Sequence, residues 1–132
     1  MKLGVVTKGP LFWGFFIGLL TLISDKSSIL QILLYGILYF MIRSFSCELT
    51  EDLFNSKSSR KFGNIERVAR RKLLQLHAVT NLLDLRIPPG NMLELLIGKR
   101  KGQHSIRINS QWLICFLWKE DGAYNVEIVD YH

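Results

Sequence analysis

The chain has 132 residues and a formal net charge of +6, which is the length of one domain with a hydrophobic core and too short for two. A surplus of positive charge attracts nucleic acid, acidic lipid or an acidic protein. A modest surplus often does no more than keep a protein soluble. The two cysteines, Cys47 and Cys115, lie far apart and form no CxxC pattern. Neither a disulfide framework nor a zinc site is indicated, and this cysteine usage fits a reduced, cytoplasmic compartment.

The first forty residues are almost free of charge. Residues 9–24 and residues 27–42 form two uncharged runs, each shorter than the roughly twenty apolar residues of a membrane-spanning helix. Three interpretations stay open: a signal peptide, for which no clear small-residue cleavage site follows; a membrane anchor formed by residues 9–42; or an apolar upstream extension of a reading frame whose translation starts at Met41. We favour the last, and under all three we expect a domain at residues 41–132.

The first half of this domain predicts a strand and two helices. Apolar and polar side chains alternate over residues 41–47, which is the two-residue period of a half-buried strand. Thr50 is placed to cap a short helix that ends at Phe54. A longer amphipathic helix is predicted from Asn64 to about Leu85, with its arginines on the face opposite its apolar side chains. That arginine face is either a solvated surface or a contact for RNA or a partner.

The second half predicts a sheet. The Pro-Pro-Gly-Asn sequence at residues 88–91 stops helix formation. Four antiparallel strands are predicted after it, at residues 92–97, 103–109, 112–119 and 124–130. Asp121-Gly122 is predicted as the turn of the last hairpin. The fold class is therefore α+β: a strand, then two helices that cover one face of a four- to five-stranded antiparallel sheet and leave the other face partly open.

The strand predicted at residues 112–119 is apolar on both faces. Leu113, Cys115 and Leu117 alternate with Trp112, Ile114, Phe116 and Trp118. This pattern is typical of a central strand that is buried on both sides. If one of the two faces is instead an open cleft, that cleft has an apolar floor.

The C-terminal third also concentrates cations that suit phosphate binding. The candidate phosphate contacts are Lys99, Arg100, Lys101 and Arg107. His104 is a secondary candidate, because a histidine in a strand more often has a structural hydrogen bond than a binding role.

The chain ends in Asp130-Tyr131-His132, which is a possible acid–base group. Imidazole titrates nearest neutral pH, so His132 is the best candidate for the acid or base, with Asp130 to orient it. Tyr131 can stack on a base or hydrogen-bond to a phosphate. A terminal histidine taken alone is more often a frayed residue without a role. Together with the nearby cations, however, these three residues indicate a nuclease site.

From Met41 onwards the chain resembles the HigB-type killer toxins of toxin–antitoxin systems, in the RelE/ParE superfamily. The resemblance rests on residues 64–73, 88–91, 102–109, 111–112 and 126–132, and it covers about 92 of the 132 residues. It implies a RelE-like fold and an endoribonuclease, without metal or other cofactor, that enters the ribosomal A site and cuts mRNA. It also implies a neighbouring HigA-like antitoxin with a DNA-binding domain, which holds the toxin inactive.

Among the positions that depart from the pattern of the family, two concern the cations that it uses around the scissile phosphate. Ile97 stands where HigB-type toxins usually have a lysine, and Leu113 stands where they usually have an arginine. Losing a cation that balances charge in the transition state typically costs about a hundredfold in rate. We therefore carry two hypotheses. The chain is a ribonuclease of reduced activity in which Lys99 and Arg100 replace the missing cations, or it is an inactive toxin homologue that binds an antitoxin and regulates its own operon.

Overall fold

The structure is a computed structural model that describes residues 41–131. The interpretations of residues 1–40, and the position of His132, lie outside the described residues. Within residues 41–131, no helix is both long enough and apolar enough to cross a membrane.

Five strands form one sheet in the order β1-β5-β4-β3-β2. The strands are β1 (Met41–Ile42), β2 (Glu94–Leu95), β3 (His104–Arg107), β4 (Trp112–Lys119) and β5 (Gly122–Asp130). Strands β2 to β5 form an antiparallel meander, whereas β1 pairs with β5 in parallel. The predicted α+β fold is confirmed, with a mixed sheet in place of a wholly antiparallel one. The chain between β1 and β5 contains both helices and strands β2 to β4, which is more than the dozen residues that a parallel pair requires as its connection.

Helix α1 (Glu48–Phe54) begins after Cys47 and not at Thr50 as predicted. Thr50 lies inside the helix and is fully buried. Its hydroxyl oxygen accepts a hydrogen bond from the backbone N–H of Ile128 in β5, at 3.0 Å. The threonine therefore joins α1 to the sheet and does not cap the helix.

Helix α2 (Glu66–Ala78) is shorter than predicted at both ends. Its last residue is followed by Val79 in an extended conformation, with φ −76° and ψ 139°. Asn81 then caps a separate 3-10 turn, Leu82–Arg86, by accepting a hydrogen bond from the backbone N–H of Leu83 at 3.0 Å. Leu82 and Leu85, which fell within the longer helix predicted from the sequence, belong to this second, independent element.

The strand predicted at residues 41–47 pairs regularly only over Met41–Ile42, with an isolated bridge from Phe45 to Val126. The regular pairing is interrupted at Ser44, because its hydroxyl, and not a backbone carbonyl, accepts an N–H of β5. The N–H of Asn125 donates to the hydroxyl of Ser44 at 2.8 Å, beside an irregularity in the β4–β5 register, and Asn125 has a positive φ of 53°. A local bulge of this kind bends the strand away from a neighbouring ladder.

The last hairpin has its turn one residue earlier than predicted. Lys119 pairs with Gly122, so the two loop residues are Glu120 and Asp121. Gly122 has a φ of +135°, and a Cβ atom there would lie 2.1 Å from the carbonyl oxygen of Met41. This glycine is required for the close approach of β1 and not for the turn itself.

The helices cover one face of the sheet. Leu53 of α1 and Leu73 of α2 are fully buried against Ile114 and Phe116 of β4, and these residues belong to one hydrophobic core. The opposite face of the sheet carries the candidate site.

A buried polar network fixes the segment between α2 and β2. Lys72 of α2 is only 7% exposed, and its ammonium group donates a hydrogen bond to the side-chain oxygen of Asn91. The amide of the fully buried Asn91 donates in turn to the carbonyl oxygen of Leu85 at 2.9 Å and to the side chain of Gln75 at 3.1 Å. Burial, and then the positive charge of Arg71, lower the pKa of Lys72. The network holds the chain where it leaves the helices and enters the sheet.

Candidate active site

The face of the sheet that points away from the helices carries a cleft of about 280 Å³. Its floor contains Leu113 and Cys115 of β4 and Val129 of β5. Leu113 is 8% exposed and Cys115 is 1% exposed, although neither belongs to the core on the helix side. Strand β4 is therefore the central strand predicted from its two apolar faces. One face contacts the core and the other forms the floor of the cleft.

Two chain segments form the rim of this cleft. The first is the loop between β2 and β3, at residues 96–103, and the second is the C-terminal end of β5 with the residue that follows it. The lining residues from the loop are Leu96, Ile97, Lys99 and Arg100, and those from the C-terminal end are Asp130 and Tyr131. The structure thus brings Lys99, Arg100, Asp130 and Tyr131 to one site, although about thirty residues separate the two pairs in sequence.

Arg100 is held by an ion pair inside the site. Its Nη1 atom donates to Oε1 of Glu127 at 2.8 Å and to Oε1 of Gln103 at 3.1 Å. Glu127 pairs with Cys115 across the β4–β5 ladder, so it projects from the same face of the sheet as the cleft floor. Burial raises the pKa of the Cys115 thiol, while Arg100 lowers it and Glu127 raises it. The thiol is therefore a neutral group beneath a charged pair.

Arg107 lies beside the cleft floor. It pairs with Leu113 across the β3–β4 ladder and so projects from the cleft face of β3. Its Nε atom is buried and has no hydrogen-bond partner within residues 41–131. A buried donor without a partner is unusual in proteins. Beside the cleft floor, Arg107 therefore has a buried N–H without a partner in the described chain, although it is not among the residues that line the cleft.

The structure does not bring the other two basic candidates to the cleft. His104 pairs with Phe116 of the core, and the two rings stack with centroids 6.2 Å apart, so His104 lies on the helix side of the sheet. Burial lowers the pKa of His104, which favours the neutral imidazole at neutral pH. Lys101 is exposed on the loop and is not among the residues that line the cleft.

Gln111 holds the C-terminal end of the described chain. Its side-chain amide donates to Oδ2 of Asp130 at 3.1 Å, and its backbone carbonyl oxygen accepts the backbone N–H of Tyr131 at 2.6 Å. The ring of Tyr131 remains 62% exposed at the rim, where it is free to stack on a base. The role of His132 stays a prediction. Among the described residues, no three His, Cys, Asp or Glu side chains form a group that could hold a metal ion.

Comparison with known proteins identifies the family. The family described as "RelE-like toxin of type II toxin-antitoxin system HigB" matches residues 43–132. This chain belongs to that family. It is 47% identical over 62 residues to Toxin HigB-1 of Vibrio cholerae, a match that covers 47% of this chain and 65% of that protein. It is also 40% identical over 63 residues to an uncharacterised protein of Haemophilus influenzae, covering 48% of this chain and 62% of that protein.

The chain thus matches less than two thirds of the length of these curated relatives. The cleft of this HigB-like toxin carries two apolar side chains at key positions. Ile97 is 88% exposed at the rim, and Leu113 lies in the floor. These are the two positions at which the resemblance leads us to expect cations. The charged groups that remain are Lys99 and Arg100, with Asp130 in the lining and Glu127 against Arg100.

Sequence reasoning placed Cys115 on the possible cleft floor but missed two residues beside this HigB-like site, Glu127 and Gln111. A signal for Glu127 was present. Once β4 and β5 are paired through their short turn, residues 115 and 127 are cross-strand neighbours on the same face as residues 113 and 129. The contact of Glu127 with Arg100, a residue on a distant loop, has no such local signal.

Proposed function

We propose that this chain is the toxin of a type II toxin–antitoxin pair and acts as an endoribonuclease of reduced activity, which cuts mRNA on the ribosome without a metal ion. The observation that carries the proposal is the cleft. It places the loop cations Lys99 and Arg100 opposite the end of β5, where Asp130 and Tyr131 lie and after which His132 follows in the sequence.

The proposed reaction uses the substrate's own 2′-hydroxyl group as the nucleophile. A base on the protein removes the proton from this hydroxyl, its oxygen attacks the adjacent phosphorus, and an acid protonates the 5′ oxygen that leaves. His132 serves as the acid or base, with Asp130 to orient it. Tyr131 stacks on a nucleobase of the RNA or hydrogen-bonds to the phosphate. The loop cations stabilise the additional negative charge on the phosphorane.

The reduced rate follows from the two apolar replacements. Ile97 and Leu113 present no charge to the phosphorane, and each missing cation in a preorganised site typically lowers the rate about a hundredfold. Lys99 and Arg100 line the same cleft and supply part of the missing charge. Arg107 projects from the same face of the sheet as the cleft floor, and we propose its guanidinium as a further phosphate contact.

The proposed partners are a HigA-like antitoxin with a DNA-binding domain, and the ribosome with its mRNA in the cytoplasm. A position at the inner membrane is proposed only for the case in which residues 9–42 form a genuine anchor. An anchored toxin would be poorly placed to enter the ribosomal A site, so the cytoplasmic alternative fits the proposed activity better.

The test is to induce the full chain in cells that lack an antitoxin. We expect partial growth arrest and new 5′ ends inside ribosome-bound mRNA, measured by growth and by sequencing of RNA ends. His132→Ala should abolish both effects while the midpoint of urea unfolding stays within error of the parent, as expected for a residue that acts in the reaction and not in folding. A parent chain that cuts no mRNA, or a His132→Ala variant that cuts as well as the parent, would rule the proposal out.

A second candidate function is a catalytically inactive toxin homologue that binds an antitoxin and helps it to repress their shared operon. The apolar floor and rim at Leu113 and Ile97 favour it, because an apolar cleft suits a protein contact better than a polyanion. This function predicts a parent chain that is not toxic, a stable complex with the product of a neighbouring reading frame, and tighter repression of a reporter when both proteins are present.

A further inference from the structure

The loop at residues 96–103 has few hydrogen bonds to the rest of the sheet. Its backbone hydrogen bonds close the loop on itself, from Leu96 N to Gln103 O at 2.8 Å, from Lys101 N to Gly98 O at 3.1 Å and from Gln103 N to Arg100 O at 2.9 Å. Within the described residues, its one side-chain hydrogen bond to another element is the bond from Arg100 to Glu127 of β5. Besides the paired strands β2 and β3 at its two ends, this ion pair is the polar contact that orients the loop over the cleft.

The ion pair leaves half of the guanidinium group available. Both hydrogen bonds of Arg100 use Nη1, at 2.8 Å to Glu127 and at 3.1 Å to Gln103. Its Nε and Nη2 atoms make no hydrogen bond within residues 41–131, and neither of them is buried. A guanidinium group holds its five N–H donors in one rigid plane, so fixing one nitrogen orients the others. Arg100 lines the cleft, where a group with paired oxygens can meet this free edge.

We propose that Glu127 is a positioning residue, which fixes Arg100 so that the free edge of its guanidinium receives a phosphodiester group of single-stranded RNA. Arg100 then supplies in this chain a cation that residues 97 and 113 do not supply. The inference rests on the proposed function in one respect, since it takes RNA to be the ligand of the cleft.

The sign of the effect separates positioning from simple electrostatics. Glu127 is an anion on the same face as the cleft floor, so charge alone predicts that removing it strengthens the binding of a polyanion. If Glu127 positions Arg100, removing Glu127 should instead weaken RNA binding. An unrestrained arginine loses rotamer freedom when it binds a phosphate. The side chains of Arg100 and Glu127 are 35% and 27% exposed, so solvent screens their attraction only in part.

The main experiment measures the affinity of the full chain for a short 2′-O-methyl RNA, which cannot be cleaved, by fluorescence anisotropy over a series of salt concentrations. Arg100→Ala should weaken binding about tenfold and lower the salt slope by about one. Glu127→Ala should weaken binding about 3- to 10-fold. Glu127→Gln keeps a hydrogen-bond acceptor for Nη1 and should lose less affinity than Glu127→Ala.

Glu120→Ala is the matched control for charge. Glu120 is an exposed carboxylate in the turn between β4 and β5, so this change removes the same charge without touching Arg100. We expect the control to bind RNA as tightly as the parent or slightly more tightly. The comparison shows whether the loss of affinity in Glu127→Ala comes from its contact and not from net charge.

A second measurement reports on the pair without RNA. In a Cys47→Ser background, the pH dependence of the ¹³Cβ chemical shift gives the pKa of the buried Cys115, which Arg100 lowers and Glu127 raises. A folded Glu127→Ala variant should therefore show a lower thiol pKa than the parent, and Arg100→Ala a higher one. A variant that shows both this shift and a cooperative unfolding transition has kept the fold around Cys115. Its RNA affinity then decides whether Glu127 positions Arg100.

Binding by Glu127→Ala as tight as or tighter than the parent's would overturn the inference and leave the proposed function standing. Equal affinity of the parent and Arg100→Ala would also overturn it, since Arg100 would then not bind phosphate. A chain that cuts no mRNA on ribosomes but follows the expected order of affinities would contradict the proposed function and support this inference.

Discussion

Ile97→Lys should increase the rate of RNA cleavage. Ile97 is 88% exposed at the rim of the cleft, so a lysine there removes no buried contact. Leu113→Arg is a poorer choice, because residue 113 is 8% exposed and pairs with Arg107, so a second guanidinium would be buried beside the first. The Ile97 variant therefore tests the effect of charge with the least effect on stability.

The expected gain follows from the position of the new charge. Two unit charges 4 Å apart interact with about 4 kcal/mol at an effective dielectric constant of 20 and with about 1 kcal/mol in water. A lysine at a rim that is 88% exposed lies near the aqueous limit and loses rotamer freedom when it contacts the phosphate. We expect about 1.4 kcal/mol of transition-state stabilisation, which is about a tenfold gain in rate.

The assay is single-turnover cleavage of mRNA on purified ribosomes, with Ile97→Gln as a neutral control of similar length. The gain should appear in the lysine variant alone and should diminish at high salt, because an exposed charge is screened. If Ile97→Lys is no faster than Ile97→Gln, a missing cation at this rim does not limit the reaction, and the explanation of reduced activity is wrong.

Two further predictions concern stability. Asn91→Ala should lower the free energy of unfolding by about 3 kcal/mol, measured by urea denaturation, because it leaves the buried ammonium of Lys72 without its acceptor. The double variant with Lys72→Met should recover part of this loss, and no recovery would show that the network is not the cause. Burial, and secondly Arg43, lower the pKa of His77 to about 4, and its Nδ1 accepts the N–H of Ile42 at 3.3 Å. The unfolded chain therefore binds a proton between about pH 6.5 and pH 4 that the folded chain does not, and stability should fall by about 3 kcal/mol as pH decreases through this window. His77→Gln should lack this part of the pH dependence, and an unchanged slope in that variant would contradict the assignment.

Local patterns in the sequence were enough to predict the long strands. β4 and β5 follow from alternation and a short turn, and both are features of neighbouring residues. The turn itself was predicted one residue too late, because Gly122 was taken as a turn residue. Its positive φ serves the approach of Met41, whose carbonyl oxygen leaves no space for a side chain. Contacts between residues that are far apart in sequence are not visible in a local pattern.

The end of α2 shows the same limitation. The apolar spacing continues past Ala78, so a longer helix was predicted. Asn81 instead caps a new 3-10 turn, and the buried Asn91 then holds the segment through Leu85 and Lys72. A buried lysine on the apolar face of a helix cannot be inferred from hydrophobic periodicity, which assigns it to solvent.

For the candidate site, the types of residue were predictable and their grouping was only partly so. Lys99, Arg100, Asp130 and Tyr131 were chosen from the sequence and they line one cleft. His104 lies on the other face of the sheet from Arg107, and strand parity already implies this, since three positions separate them. The partnership of Arg100 with Glu127 required the structure, because a loop and a strand meet there from different parts of the chain.

The parallel pairing of β1 with β5 determines where the described domain can be joined to other molecules. Met41 pairs with Gly122 at the first residue of β5, whereas the cleft is lined by Asp130 and Tyr131 at its other end. Eight residue steps at about 3.3 Å each place these two ends roughly 26 Å apart. An affinity tag or fluorescent protein that enters through Met41 would leave the cleft accessible. The same fusion placed after His132 would follow the rim residue Tyr131 by one position in the sequence, so the tagged protein would report on the tag as much as on the site.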